Sequence, residues 1–140
     1  MSEAKYLLDT SAVMTFLEDE EGAQRVETIL RKEEVLLPYL TLLETYYITL
    51  QEQPEDVADR RYALLKQLPA MILWDVDEPT LLTAGRLKAA YRLSLADALI
   101  AAMAVRHQAI LVQKDPEMAV LSEIVKLETL PYKGSREGER

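Results

Sequence analysis

Short apolar runs alternate with longer segments of helical periodicity along this chain, and that alternation admits few folds. The runs cover 6–8, 35–37, 71–76, 109–112 and, more weakly, 124–127. Each is apolar at successive residues, as a strand is when both its faces are buried. Between them, apolar residues recur every three or four positions. Segment 11–17 follows a Thr-Ser capping signal, and 22–31 carries Val26, Ile29 and Leu30 on one side. Segment 40–50 repeats Leu40, Leu43, Tyr47 and Leu50. Segment 55–68 opens after Pro54 with acids in its first turn and stops before Pro69, while 78–91 has Pro79 placed to open a helix. Segment 95–106 is rich in alanine and leucine, and 116–121 makes a short last helix. The pattern predicts an α/β fold with three layers, a central parallel sheet covered by helices on both faces.

With 140 residues the chain has the length of one domain with a real core. We expect that domain over 1–132, followed by a charged tail, 133–140, that frays. No apolar run approaches the roughly 18 residues needed to span a bilayer, and the first residues lack the pattern of a signal peptide. There is no cysteine, hence no disulfide framework and no thiolate metal site. A cytoplasmic protein with no membrane partner is expected. The net charge of −8 argues against broad electrostatic binding of nucleic acid. It leaves open chemistry on a phosphodiester, because bound cations supply positive charge locally.

Four acids interrupt the apolar stretches: Asp9, Glu44, Asp97 and Asp115. In an open parallel sheet, ligands bind beyond the carboxyl ends of the strands. Asp9 directly follows the first strand, and Asp115 follows the fourth by a few residues. Asp97 lies in the first turn of the helix that leads into that fourth strand, so the topology brings three carboxylates to one edge. Glu44 shares a helix face with Leu40, Leu43 and Tyr47 and is expected at the core side or its rim. Two unit charges about 5 Å apart at an effective dielectric near 20 repel by about 3 kcal/mol. A divalent cation relieves that repulsion. An all-oxygen donor set suits Mg²⁺ or Mn²⁺, and a single histidine argues against zinc.

Ordinary structural roles compete with this reading. Ser94-Leu95-Ala96-Asp97 has capping-box spacing, Asp9-Thr10-Ser11 makes an acceptable turn, and Asp115-Pro116 reads as a helix N-cap. Capping does not explain Glu44, and the four acids together favour a shared site. His107, near a helix end, is explained by the dipole there. Neither a nucleophile elbow nor a glycine-rich phosphate loop is present.

At these residues the chain resembles the PIN-domain family, and within it the small VapC-type toxin ribonucleases. The matching stretches are Tyr-Leu-Leu-Asp-Thr-Ser-Ala, Leu-Thr-Leu-Leu-Glu-Thr-Tyr-Tyr, Leu-Ser-Leu-Ala-Asp-Ala-Leu-Ile-Ala-Ala and Ala-Ile-Leu-Val-Gln-Lys-Asp-Pro-Glu-Met. The resemblance implies a three-layer PIN-like fold and a metal site in which Asp9, Glu44, Asp97 and Asp115 are the metal-binding, catalytic acids. Ser11 matches a polar position that holds a metal-bound water. The last motif departs from the family: Gln113 replaces the usual Thr or Ser, and Asp115-Pro116-Glu117-Met118 replaces Asp-x-Asp-Phe. Glu117 then stands in for the missing second aspartate.

The resemblance further implies an Mg²⁺- or Mn²⁺-dependent endoribonuclease with an RNA substrate. It also implies an antitoxin partner that fills a groove on the toxin, and a homodimer. Tyr46, Tyr47, Leu42 and Ile48 offer more apolar surface than one helix face buries. Two rivals are weighed against it. One is a PIN-like binding module weakened in catalysis, to which the altered last motif lends weight. The other is an Mg²⁺-binding phosphoacceptor domain, which needs paired acids after the first strand, where this chain has Asp9-Thr10-Ser11.

Overall fold

In the computed structural model, which describes residues 4–132, five strands form one parallel sheet. They are β1 (Lys5–Leu8), β2 (Glu34–Pro38), β3 (Met71–Leu73), β4 (Ile110–Gln113) and β5 (Leu127–Thr129), in the spatial order β3-β2-β1-β4-β5. The expected tail, 133–140, lies outside the described residues. Six α-helices cover the sheet: α1 (Thr10–Leu17), α2 (Ala23–Lys32), α3 (Tyr39–Glu52), α4 (Glu55–Gln67), α5 (Glu78–Ala90) and α6 (Leu95–His107). A 3-10 helix, Pro116–Leu121, links β4 to β5. None of the described helices is long and apolar enough to cross a membrane.

The strands are apolar at successive residues because each side chain enters one of two cores. Leu7, Leu36, Leu73 and Leu111 pack with α5, α6 and the 3-10 helix. Tyr6, Leu8, Val35, Leu37 and Val112 pack with α1, α2 and α4. This is the predicted three-layer α/β arrangement, with period-two alternation deciding which layer each residue meets.

Two strands differ from expectation. Segment 71–76 was expected to be extended throughout, yet β3 stops at Leu73, which pairs with Pro38. There β2 turns directly into α3, so Trp74 has no neighbour to pair with. The last strand was expected over 124–127 but forms over Leu127–Thr129. The amides of Ile124 and Val125 both bond to the Leu121 carbonyl, which holds them in a turn and delays the ladder.

Helix α3 departs most from its sequence pattern. Leu43, Tyr47 and Leu50, three of the four residues in the apolar repeat, are exposed. The buried side instead carries Leu40, Thr41, Leu42, Thr45 and Thr49. Short β-branched side chains suit a close approach to α1, and Thr41 bonds across to the Leu8 carbonyl at 3.0 Å. Thr49 bonds back to the Thr45 carbonyl at 2.7 Å, which satisfies the proton of its buried hydroxyl within the helix.

Candidate active site

The strand order places the topological switch between β1 and β4. Successive connections lead from β1 outward to β2 and β3 on one side, and to β4 and β5 on the other. Crevices form at the carboxyl edge of such a sheet where the order reverses. Asp9 follows β1 at that point, and its amide bonds to the Val112 carbonyl of β4 at 3.2 Å. The chain leaves β4 at Gln113 and passes through Lys114 to Asp115. Helix α6 precedes β4, so its N-terminal turn, with Asp97, opens on the same edge.

Asp9 is 3% exposed. It caps α1, and its Oδ1 accepts from the Ala12 amide at 2.9 Å and the Ser11 hydroxyl at 2.7 Å. Burial nevertheless raises its pKa to about 7, against the lowering effect of those two bonds. The neighbouring charges of Asp97 and Asp115 push the same way. Asp97 is half-buried and also raised, first by desolvation and then by the like charges of Glu44, Asp115 and Glu117. The Ser94 hydroxyl partly offsets this. Ser94 accepts from the Asp97 amide at 3.1 Å, so the serine is the cap of α6 and the Asp97 carboxylate is not needed for it.

Glu44 lies beside the acids through its electrostatic effect on Asp97. It is held by the Thr10 hydroxyl, which donates to its Oε1 at 2.5 Å. Asp115 is half-buried and caps the 3-10 helix, its Oδ1 accepting from the Glu117 amide at 2.9 Å. Glu117 itself is exposed. The structure thus brings Asp9, Asp97 and Asp115 within electrostatic range of one another, with Glu44 and Glu117 in range of Asp97. Among the described residues, however, no three acids or histidines stand with the spacing of a closed metal cage. The donor set fits a hard cation chemically, since every candidate ligand is oxygen and the cluster is under-neutralised.

Ser11 ties the two arms of the site together. Its hydroxyl donates to Asp9 and accepts from the Lys114 amide at 2.8 Å. Sequence reasoning missed Thr10, whose partner is 34 residues away, and the anchoring of Lys114. The Lys114 ammonium turns from the acids to Glu20 Oε1 at 3.2 Å and the Glu21 carbonyl at 3.1 Å. Arg61 bonds to Thr49 at 3.1 Å and lies 3.5 Å from Glu18. His107 closes the far end of α6, roughly 15 Å along the axis from Asp97 at 1.5 Å per residue.

A doubly wound parallel sheet with carboxylates crowded at its switch point defines the class. The PIN-domain family model matches residues 6–124, and the chain belongs to that family. Solved structures share the fold at low identity. A VapBC2 complex from Rickettsia felis, bound to a promoter DNA fragment, superposes with a TM-score of 0.73 at 16% identity, covering 91% of this chain and 99% of that one. VapBC-1 from nontypeable Haemophilus influenzae gives 0.71 at 18%, covering 89% and 97%. VapC20 from Mycobacterium tuberculosis, described as a toxin cleaving the sarcin-ricin loop, gives 0.69 at 14%, covering 90% and 99%. A search of curated protein sequences finds no significant match.

Proposed function

We propose that this protein is a cytoplasmic, Mg²⁺- or Mn²⁺-dependent endoribonuclease, the toxin of a toxin–antitoxin pair. The observation that carries the reading is a buried aspartate, Asp9, raised to about 7 beside other acids at the switch point. A purely structural cap gains nothing from being desolvated among like charges. Asp9, Glu44, Asp97 and Asp115 would hold the cation, with Glu117 at the rim. Bound there, the cation supplies positive charge against the phosphodiester and Lewis-acid activation of water.

The chain's own residues do the rest. The Ala12 amide and Ser11 hydroxyl fix Asp9 on one oxygen, and Thr10 fixes Glu44. Ser94 caps α6 and leaves the Asp97 carboxylate to the crevice. RNA as substrate is supported by family membership and by the described activity of the VapC20 neighbour.

The partner proposals rest on a largely apolar groove of about 610 Å³ between α3 and α4, lined by Tyr39, Leu42, Leu43, Tyr46, Tyr62 and Trp74 together with the acid Asp59. The VapBC neighbours are toxin–antitoxin complexes, which supports an antitoxin there. The exposed Leu43, Tyr47 and Leu50 stripe supports a homodimer, checked by light scattering of the purified protein.

Cleavage of a single-stranded RNA panel with Mg²⁺, Mn²⁺ or EDTA tests the reading. Wild type should cleave only with metal, and Asp9→Asn and Asp97→Asn should not. Equal activity in all of them rejects it. The open spacing of the acids favours a second reading, a PIN-like module weakened in catalysis. Calorimetric titration with Mn²⁺ separates the two, since no binding supports the module.

A further inference from the structure

Gln113 is the one large polar side chain among the described residues that is both fully buried and neutral. A buried amide is unfavourable unless both its ends are bonded, and here both are. Its Nε2 donates to the Thr129 hydroxyl on β5 at 2.8 Å. Its Oε1 accepts from the Asp115 amide, two residues on, at 2.6 Å. The Gln113 carbonyl also accepts from the Leu130 amide at 2.8 Å, and the residue pairs with Thr129 in the ladder.

These bonds organise the loop that carries Asp115. The Lys114 amide is taken by Ser11 and the Asp115 amide by Gln113, so two successive peptide groups are held by side chains. One anchor lies on the β1 side of the crevice and the other reaches β5. A glutamate of the same length would also accept from the Asp115 amide, but it would add a negative charge beside Asp9, Asp97 and Asp115. The neutral amide makes the connection without adding to the repulsion.

We propose that Gln113 is a positioning residue for Asp115, its amide anchored on Thr129 so that the turn holds the Asp115 carboxylate against Asp97 and Asp9. The inference rests on the reading of Asp115 as a cation-holding group. Gln113 touches neither cation nor substrate and acts only through the loop.

The test uses the full chain with Gln113→Met, which keeps the length and removes both bonds, and Thr129→Val, which removes the far anchor. Thr129 is exposed, so that second variant folds even where the first does not. Mn²⁺ affinity is measured by calorimetry without RNA, and the Mn²⁺ dependence of RNA cleavage is measured alongside. Loss of an outer-shell partner typically weakens metal binding about 10–100-fold. Gln113→Met should fall in that range, and Thr129→Val should weaken binding by less than Gln113→Met but by more than about twofold, with Thr129→Ser restoring it. At saturating Mn²⁺ the KM for RNA should be unchanged and kcat largely recovered, a split that simple loss of folded protein does not produce.

Mn²⁺ affinity within twofold of wild type in both variants, while Asp115→Asn loses binding, overturns the positioning role and leaves the site reading intact. Wild-type affinity in Asp115→Asn overturns the assignment of Asp115 itself, and this role with it.

Discussion

The two arms of the crevice are built differently. The Asp9 arm continues β1, the central strand, and is closed in by neighbours on both sides. Its carboxylate is 3% exposed, and two bonds from its own helix turn hold it. The Asp115 arm begins two residues past β4, is half-buried, and takes its geometry from Ser11 across the crevice and from Gln113, which is itself anchored on β5. One acid is rigid because it is at the middle of the sheet. The other is positioned by long-range bonds near an edge. A site assembled this way concentrates its desolvation on one residue and its adjustability on another.

Substitution separates the arms most sharply. Asp9→Asn should lower metal-dependent RNA cleavage by on the order of 100-fold or more, beyond what loss of an outer-shell partner costs. It should also stabilise the metal-free protein at neutral pH, because a neutral amide escapes the desolvation of a charge. Asp115→Asn should lower cleavage too, but leave metal-free stability within about 0.5 kcal/mol, as for partly exposed sites. Equal stability changes in the two variants would erase the contrast.

The next largest effect is on pH. Asp9 binds its proton more tightly folded, at about 7, than at its ordinary value of 3.8. Between those values the folded state holds more protons than the unfolded, so metal-free stability falls as pH rises from about 4 to about 7. At about 1.4 kcal/mol per unit, the loss from Asp9 is at most about 4 kcal/mol. Denaturant titrations across that window should show the decline in wild type and lose most of it in Asp9→Asn. Adding Mn²⁺ at pH 8 should raise the melting temperature more than at pH 5, because the cation binds the ionised form.

A smaller effect tests how Glu44 is held. Thr10→Val removes one partly buried hydrogen bond to a carboxylate and should cost about 1 kcal/mol by thermal unfolding. A lowered Mn²⁺ affinity should accompany it, and an unchanged affinity would mean that Glu44 orients itself.

Local chemistry made several boundaries readable. Pro54 before α4, Asp77 capping α5 ahead of Pro79, and Ser94 capping α6 act within a few residues of themselves, and the helices start where those signals stand. Acids at strand ends could be listed because an acid in an apolar run has few innocent explanations. The face of α3 could not be read. Its leucine and tyrosine repeat has the spacing of a buried stripe, yet the side of α3 that meets α1 and α4 carries threonines instead. Gln113 looked like a departure from the family pattern, and its two partners were invisible because one of them lies in a strand whose position was misplaced.

The amino-acid order by itself determined the alternation of strands and helices, the parallel sheet between two cores, and the set of acids at one edge. Those features follow from side-chain periodicity and from caps, which act over a few residues. The tertiary structure decided which face of α3 is buried, where β5 begins, and how Thr10, Ser11 and Gln113 hold the acids. These depend on contacts between residues up to about a hundred positions apart, as with Ser11 and Lys114, and no local preference encodes a partner that distant.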